Sequence, residues 1–285
     1  MSSSFGRITI FSGFLFAIGS CVFVIALFGA EEIIMDEPVL TIESFSPVSV
    51  TALSYLVFDV ETGAEIGAKD AKRQLPIASV TKLATASLFY EDADLEAATT
   101  ITWQDVNTEG AAGRIHAYEE YTHRELMYPL LLESSNDAAT AMLRVSPHLL
   151  QKMNDYVEKL GLHNTHFKDP SGLSDGNVST AHELSILITS LLKKEPHIFD
   201  ITQLSQYVGT HTGWINNNPL SQLEGFAGGK HGFTYAANRT TVSFFDETFD
   251  NGPTRKLGYV LLGSDDLTAD IELLRGQVRQ SIRYE

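Results

Sequence analysis

Strand-like segments lie at both ends of the chain beyond residue 47, and helical patterning fills the middle. That order leaves few ways to fold it. Ala52–Val60 has the β-branched and aromatic content of a buried strand, and the turn Glu61-Thr62-Gly63 leads into a second strand at Ala64–Ala68. Pro76 opens a helical run to about Tyr90, a position where proline is tolerated. Residues 123–195 read as mostly helical, with breaks at Ser134-Ser135-Asn136, Ser146-Pro147 and Asp169–Asn177. Strand character returns at Gly225–Gly232, Thr240–Phe245 and Leu257–Gly263, and an amphipathic segment, Leu267–Arg283, follows. Two early strands do not form a stable sheet alone, so they are expected to pair with the late ones. The predicted fold is α+β and two-lobed: an antiparallel sheet flanked by helices, plus a mostly helical lobe inserted between its strands. A cleft between lobes is a common place for a small-molecule site.

The amino end has a different character. From Ile8 to Ala30 the chain runs 23 residues without a charge, enough to cross a bilayer as one helix. Arg7 precedes the run, and Glu31, Glu32, Asp36 and Glu37 follow it. This charge order predicts a cytoplasmic amino terminus and a single-pass membrane protein with its domain on the extracytoplasmic face. A cleaved signal peptide is the alternative, but the apolar run is longer than a usual signal core. Ile18-Gly19-Ser20-Cys21 faintly suggests lipoprotein processing, yet Val22–Phe28 stays apolar after the cysteine. The expected organisation is an anchor at 8–30, an acidic tether at 31–47 and a globular domain at 48–285. The net charge of −16 argues against nucleic acid and against docking on anionic lipid. One cysteine excludes an intramolecular disulfide and a cysteine-based zinc cage.

Three short elements carry chemistry. Ser79-Val80-Thr81-Lys82 sets serine and lysine on one helical face at i, i+3. A serine hydroxyl is a poor nucleophile until a base takes its proton, and a desolvated lysine can be that base. The motif alone is weak, since Ser190-Leu191-Leu192-Lys193 has the same form and reads as a helix surface. Ser134-Ser135-Asn136 begins a helix and reads equally as an N-cap or as a polar relay. Lys230-His231-Gly232 lies on a predicted strand, where lysine can hold a carboxylate and glycine admits substrate to the backbone. Lys159-Leu160-Gly161 and Lys256-Leu257-Gly258 match the same spacing in other contexts.

The order of the three elements, at 79, 134 and 230, resembles the S-x-x-K, S-x-N, K-T-G series of penicillin-binding proteins. The segments LPIASVTKLATA, LLESSNDAATAM, HFKDPSGLSDGNVSTAHEL and FAGGKHGFTYAANRT extend the likeness over about residues 50–264. The chain resembles the low-molecular-mass D-alanyl-D-alanine carboxypeptidases, serine peptidases that trim peptidoglycan stem peptides. The resemblance implies an acyl-enzyme on Ser79, with Lys82 as its base. Ser134 would relay a proton, and Asn136 would orient Lys82 and the substrate amide. Lys230 would hold the substrate's terminal carboxylate, within a substrate-binding run Lys230, His231, Gly232, Phe233 and Thr234. The backbone N–H groups of Ser79 and Phe233 would form the oxyanion hole. It implies no metal or organic cofactor, β-lactams as covalent inhibitors, and D-Ala-D-Ala-terminated stem peptides as substrate. Asp169-Pro170-Ser171-Gly172-Leu173 is expected to be a structural loop.

One departure stands out: the family has Thr or Ser where this chain has His231. The resemblance gives that hydroxyl a hydrogen bond to the substrate carboxylate. An imidazole also donates, but it is larger and titrates near neutrality. Altered substrate preference, altered β-lactam affinity, added pH dependence, or a weakened site kept for cell-wall binding or β-lactam sensing follow as alternatives. A DD-endopeptidase would use the same residues. A class A β-lactamase would need a water-activating glutamate between the second and third elements, and that region carries DPSGL instead.

Overall fold

In the computed structural model, the described residues are 40–42, 45–46, 48–110, 113–249 and 252–284. The expected anchor at 8–30 lies outside them, and no helix among the described residues is long and apolar enough to cross a membrane. Five strands form the central sheet: β1 (Ser54–Asp59), β2 (Glu65–Lys69), β3 (Phe226–Thr234), β4 (Asn238–Glu247) and β5 (Arg255–Ser264). Their order is β3-β4-β5-β1-β2, every neighbouring pair antiparallel. Early and late strands therefore meet at β1 and β5, where Val57 faces Tyr259 and Leu56 faces Val260.

The sheet is buried on both faces, and period-two alternation divides its side chains between two cores. Leu56, Phe58, Val260, Leu262, Val242 and Phe244 point to the larger core, shared with the helices. Tyr55, Val57, Tyr259, Leu261 and Phe245 point to a smaller one. The helices are α1 (Thr81–Asp92), α2 (Met127–Leu132), α3 (Asn136–Val145), α4 (Leu149–Lys159), α5 (Ala181–Lys194), α6 (Pro196–Gln203) and α7 (Leu267–Ser281). Helix α1 is buried nearly all round, from Thr81 to Phe89, and packs against α2, α4 and α5.

Helix α7 covers the other face of the sheet with Leu267, Ile271, Leu274 and Val278, in line with its amphipathic pattern. Two buried carboxylates fasten it. Asp270 accepts from Thr51 N (2.7 Å), Ala52 N (2.9 Å) and Ser264 Oγ (2.7 Å). Glu247, on β4, accepts from Arg275, from Arg279 Nη2 at 2.9 Å and from Tyr259 Oη at 3.1 Å. Each is a charge whose burial is offset by several donors, and losing one partner leaves the rest uncompensated.

The segment expected as a tether contains order. Leu40–Ile42 forms a strand paired antiparallel with Ile282–Tyr284, and the Phe45 ring lies tilted against that of Tyr55. Acidic, proline-flanked composition hides so short a strand, because its partner lies at the other end of the sequence.

Candidate active site

Helix α1 does not open at Pro76. Leu75–Pro76 is a two-residue strand paired with Val178–Ser179, and a 3₁₀ turn, Ala78–Val80, separates it from the helix start at Thr81. Proline fixes φ at a value compatible with extended backbone as well as with a first helical turn, so its presence did not decide between them. The Asn177 carbonyl accepts from Ile77 N at 2.9 Å, and Thr240 Oγ1 donates to the Ile77 carbonyl at 2.9 Å. Ala78 then takes the left-handed conformation, φ +47°. A non-glycine residue held there marks a backbone fixed by its surroundings. Ser79 sits on this turn.

Lys82 is fully buried one turn on. Its Nζ donates to Ser79 Oγ at 3.0 Å, Asn136 Oδ1 at 2.7 Å and the Ser171 carbonyl at 2.6 Å. Burial first, and the nearby Lys230 cation second, hold its pKa well below the ordinary lysine range, against the opposing pull of Asp169. A lysine with a depressed pKa has a neutral amine available to accept a proton from a serine it already touches.

The Ser134-Ser135-Asn136 element divides its work between residues. Ser135 is the N-cap of α3, its Oγ accepting from Ala138 N at 3.0 Å. Ser134 lies just outside, buried, in a left-handed conformation, φ +64°. Asn136 is pinned at both ends: its Oδ1 accepts from Lys82, and its Nδ2 donates to the Glu109 carbonyl at 2.8 Å.

The third element lies on edge strand β3. Lys230 is buried, and its Nζ donates to the His231 carbonyl at 2.6 Å. Burial brings its pKa down to about 7. His231 is kept well below its usual pKa by burial and by the two lysines, so the imidazole is neutral. Its Nδ1 is buried without a partner among the described residues. Gly232 lets β3 press on the turn that carries Ser79, since a Cβ there would stand 2.5 Å from Ser79 N. Phe233 and Tyr235 are exposed and meet edge to face. Thr234 Oγ1 accepts from Ala237 N at 3.1 Å, closing the turn to β4.

The loop Asp169–Leu173, expected to be structural only, reaches the site directly. The Ser171 carbonyl is an acceptor for Lys82, and Gly172 lies so close that a Cβ would stand 2.0 Å from the Ala78 carbonyl. Asp169 builds the loop by accepting from Ser171 N (2.7 Å), Gly172 N (2.7 Å) and Ser174 N (2.8 Å). Asn177 ties it to α1 through Thr81 Oγ1, 3.0 Å from its Nδ2. The serine-lysine pair at 190 and 193 stays on a helix surface, where Ser190 Oγ meets Tyr156 Oη at 2.7 Å.

The chain has relatives among known proteins. A sequence model of the D-alanyl-D-alanine carboxypeptidase family, peptidase S11, matches residues 41–252. A D-alanyl-D-alanine endopeptidase of Haemophilus influenzae is 32% identical over 183 residues, covering 62% of this chain and 61% of the relative. The D-alanyl-D-alanine carboxypeptidase DacB2 of Mycobacterium tuberculosis is 30% identical over 202 residues, covering 67% and 69%. In the carboxypeptidase DacF of Bacillus subtilis, 27% identical, the match spans only 45% of that protein's length. Among solved structures, the Streptomyces K15 DD-transpeptidase superposes with a TM-score of 0.74 at 23% identity, over 81% of this chain and 98% of that one. With an identity that low, the superposition speaks to the fold alone. The family match, spanning the Ser79 turn, the Lys82 cluster and strand β3, establishes that the chain belongs to the D-alanyl-D-alanine carboxypeptidase family of serine peptidases.

Proposed function

We propose that the chain is a serine D-Ala-D-Ala carboxypeptidase acting on peptidoglycan stem peptides through an acyl-enzyme on Ser79. The observation that carries this reading is the seating of Lys82 Nζ between Ser79 Oγ and Asn136 Oδ1, where burial depresses its pKa. Neutral Lys82 takes the Ser79 proton as Oγ bonds to the carbonyl carbon of the penultimate D-Ala. The negative charge that develops on the carbonyl oxygen is met by the N–H groups of Ser79 and Phe233, at the positive end of the turn. The proton then passes from Lys82 by way of the Ser134 hydroxyl to the leaving nitrogen, and the C–N bond breaks. Free D-alanine departs, and Ser79 holds the ester. Water, deprotonated by Lys82, returns Ser79 and releases the shortened peptide. Lys230 and His231 face the terminal carboxylate, and Gly232 lets the peptide approach β3.

An endopeptidase that opens D-Ala cross-links would use the same groups. It is favoured by the 32% identity to the Haemophilus influenzae endopeptidase. The anchor at 8–30 and an extracytoplasmic domain belong to the same proposal, supported by the uncharged run and the flanking charges. β-Lactams are expected to acylate Ser79 in place of the peptide. The test is incubation with a pentapeptide muropeptide and with a cross-linked dimer, with and without Ser79→Ala. The expected result is D-alanine released by the wild type and not by the variant; release that survives the substitution overturns the mechanism. Cleavage of the dimer alone would select the endopeptidase.

A further inference from the structure

Among the described strands, none pairs with the outer edge of β3. Helix α6 closes the first part of that edge, where Gly229 N donates to Thr202 Oγ1 at 2.8 Å. Backbone groups alternate between the two edges of an antiparallel strand, so His231 and Phe233 share the outer edge with Gly229. The open stretch therefore starts beyond Gly229 and ends at the turn over 235–237. An unpaired edge of this kind is a template for one further extended segment.

Three side chains gather at the far end of that stretch. The Phe233 and Tyr235 rings meet with their centres 5.9 Å apart and their planes at 66°. Phe233 stands opposite Arg239 on β4, and Arg239 Cζ lies 5.7 Å from the centre of its ring. Arg239 Nη1 donates to the Asp265 carbonyl at 2.9 Å, so the guanidinium that backs the ring is itself held. The fold gains little from the two rings, since Phe233 is 53% exposed and Tyr235 99%. The turn is closed by Thr234 Oγ1, which accepts from Ala237 N, and does not need an aromatic residue at 235. Two rings left in water beside an open strand edge offer large, stiff apolar faces to whatever lies along that edge.

Direction decides what reaches them. Under the proposed function the substrate's terminal carboxylate lies at Lys230 and His231, and its scissile carbonyl at the Phe233 N–H. The peptide then runs antiparallel to β3. The residue before the D-Ala-D-Ala pair passes Tyr235, two positions beyond Phe233 and about 7 Å along the strand. Side chains that face one another across neighbouring strands touch, and aromatic partners reach the diagonal positions as well.

We infer that the Phe233 and Tyr235 rings form a subsite for the side chain of the residue preceding the D-Ala-D-Ala pair, and that this subsite selects a long aliphatic stem over a small side chain. The inference rests on the reading of the chain as a peptidase of stem peptides. Arg239 holds the Phe233 ring from the β4 side, and the Tyr235 ring lies over the methylene groups of the stem. Contact between stem and ring takes both out of water, and the gain grows with each methylene covered. The two rings thus read the substrate one residue upstream of the bond that breaks, where Ser79, Lys82 and Lys230 make no contact.

The experiment uses the full chain as wild type, Tyr235→Ala and Tyr235→Phe, with two substrates, N-acetyl-norleucyl-D-Ala-D-Ala and N-acetyl-glycyl-D-Ala-D-Ala. Tyr235 is so exposed that either substitution leaves the fold intact. Release of D-alanine gives kcat/KM for each peptide. The wild type is expected to favour the norleucyl peptide about tenfold, the scale of one or two methylene groups leaving water. Tyr235→Ala should lower that preference to about threefold or less, while Tyr235→Phe, which keeps the ring, retains it. A wild type that treats the two peptides alike, or a preference that survives Tyr235→Ala in full, overturns the subsite. Equal losses in Tyr235→Phe and Tyr235→Ala would overturn the contact between ring and stem. The same peptides titrated into Ser79→Ala, with and without Tyr235→Ala, report binding without cleavage, and the dissociation constants are expected to differ in the same order. If the wild type releases no D-alanine from either peptide, the peptidase reading fails, while the titration still decides on the subsite. Dissociation constants that are equal for the two peptides, or binding of neither, would overturn it there as well.

Discussion

Two buried lysines lie near each other and differ in how their amines are partnered. Lys82 has three acceptors, Ser79 Oγ, Asn136 Oδ1 and the Ser171 carbonyl, drawn from three separate segments. Lys230 has one, the carbonyl of its own neighbour, and beside it the His231 Nδ1 has none among the described residues. As a neutral amine Lys82 has two N–H donors for Asn136 Oδ1 and the Ser171 carbonyl and a lone pair for the Ser79 hydroxyl, so Lys82 is saturated, while Lys230 has capacity left over. A saturated group is fixed in place, as a proton acceptor must be if the serine is to meet it without reorganisation. Under the proposed function, the saturated lysine suits the base, and the unsaturated pair on the edge strand suits recognition of an anion.

The same substitution at both positions breaks the comparison most sharply. Lys82→Arg keeps a cation but cannot give up its proton, so acylation is expected to fall by about a thousandfold or more. Lys230→Arg keeps the charge that recognition needs and should acylate within about tenfold of wild type. Stopped-flow acylation with a chromogenic cephalosporin measures both; equal losses would show that the two lysines do not differ in role.

A smaller effect separates them by pH. Lys230 loses its charge as the pH rises through about 7. KM for a peptide with a free terminal carboxylate is expected to climb about tenfold per unit above that point as the cationic fraction falls. The same peptide as its terminal amide should show no such rise, and neither should Lys230→Arg with the free acid. A flat wild-type KM from pH 6 to 9 would remove the anion-holding role. The smallest effect belongs to His231. Its imidazole is neutral across this range, so His231→Thr should shift KM by about twofold to fivefold, the size of one neutral hydrogen bond. The ratio to wild type should stay constant from pH 6 to 8. A ratio that changes within that window would mean the imidazole titrates there after all.

Much of this was open to sequence reasoning, for local reasons. Ser79 and Lys82 stand three residues apart, and helical spacing alone brings them together. β-Branched and aromatic content in Ala52–Val60 and the strand character of the late segments marked the sheet, and the amphipathic pattern of 267–283 marked the helix that covers it. What escaped depends on partners far along the chain. Ser171 meets Lys82 across 89 positions, and D-P-S-G-L reads as a turn whatever it touches. The 3₁₀ turn under Ser79 is held by Asn177 and Thr240, neither of which Pro76 could announce. The division of labour in Ser134-Ser135-Asn136 was invisible because any of the three can cap a helix.

The pairing of β1 with β5 has a consequence for the order in which this protein comes into being. Ser54–Asp59 cannot take its place in the sheet until Arg255–Ser264 exists to receive it, and contacts of such long sequence separation form slowly. The helices around α1 can gather earlier, with Ser79 and Lys82 already neighbours. Lys230, the Gly232 wall and the Thr240 hydroxyl that braces the serine turn all arrive with the last third of the chain. A nascent chain thus has Ser79 and Lys82 long before it has the wall that packs on them, and the reactivity proposed for Ser79 would switch on only as the fold closes.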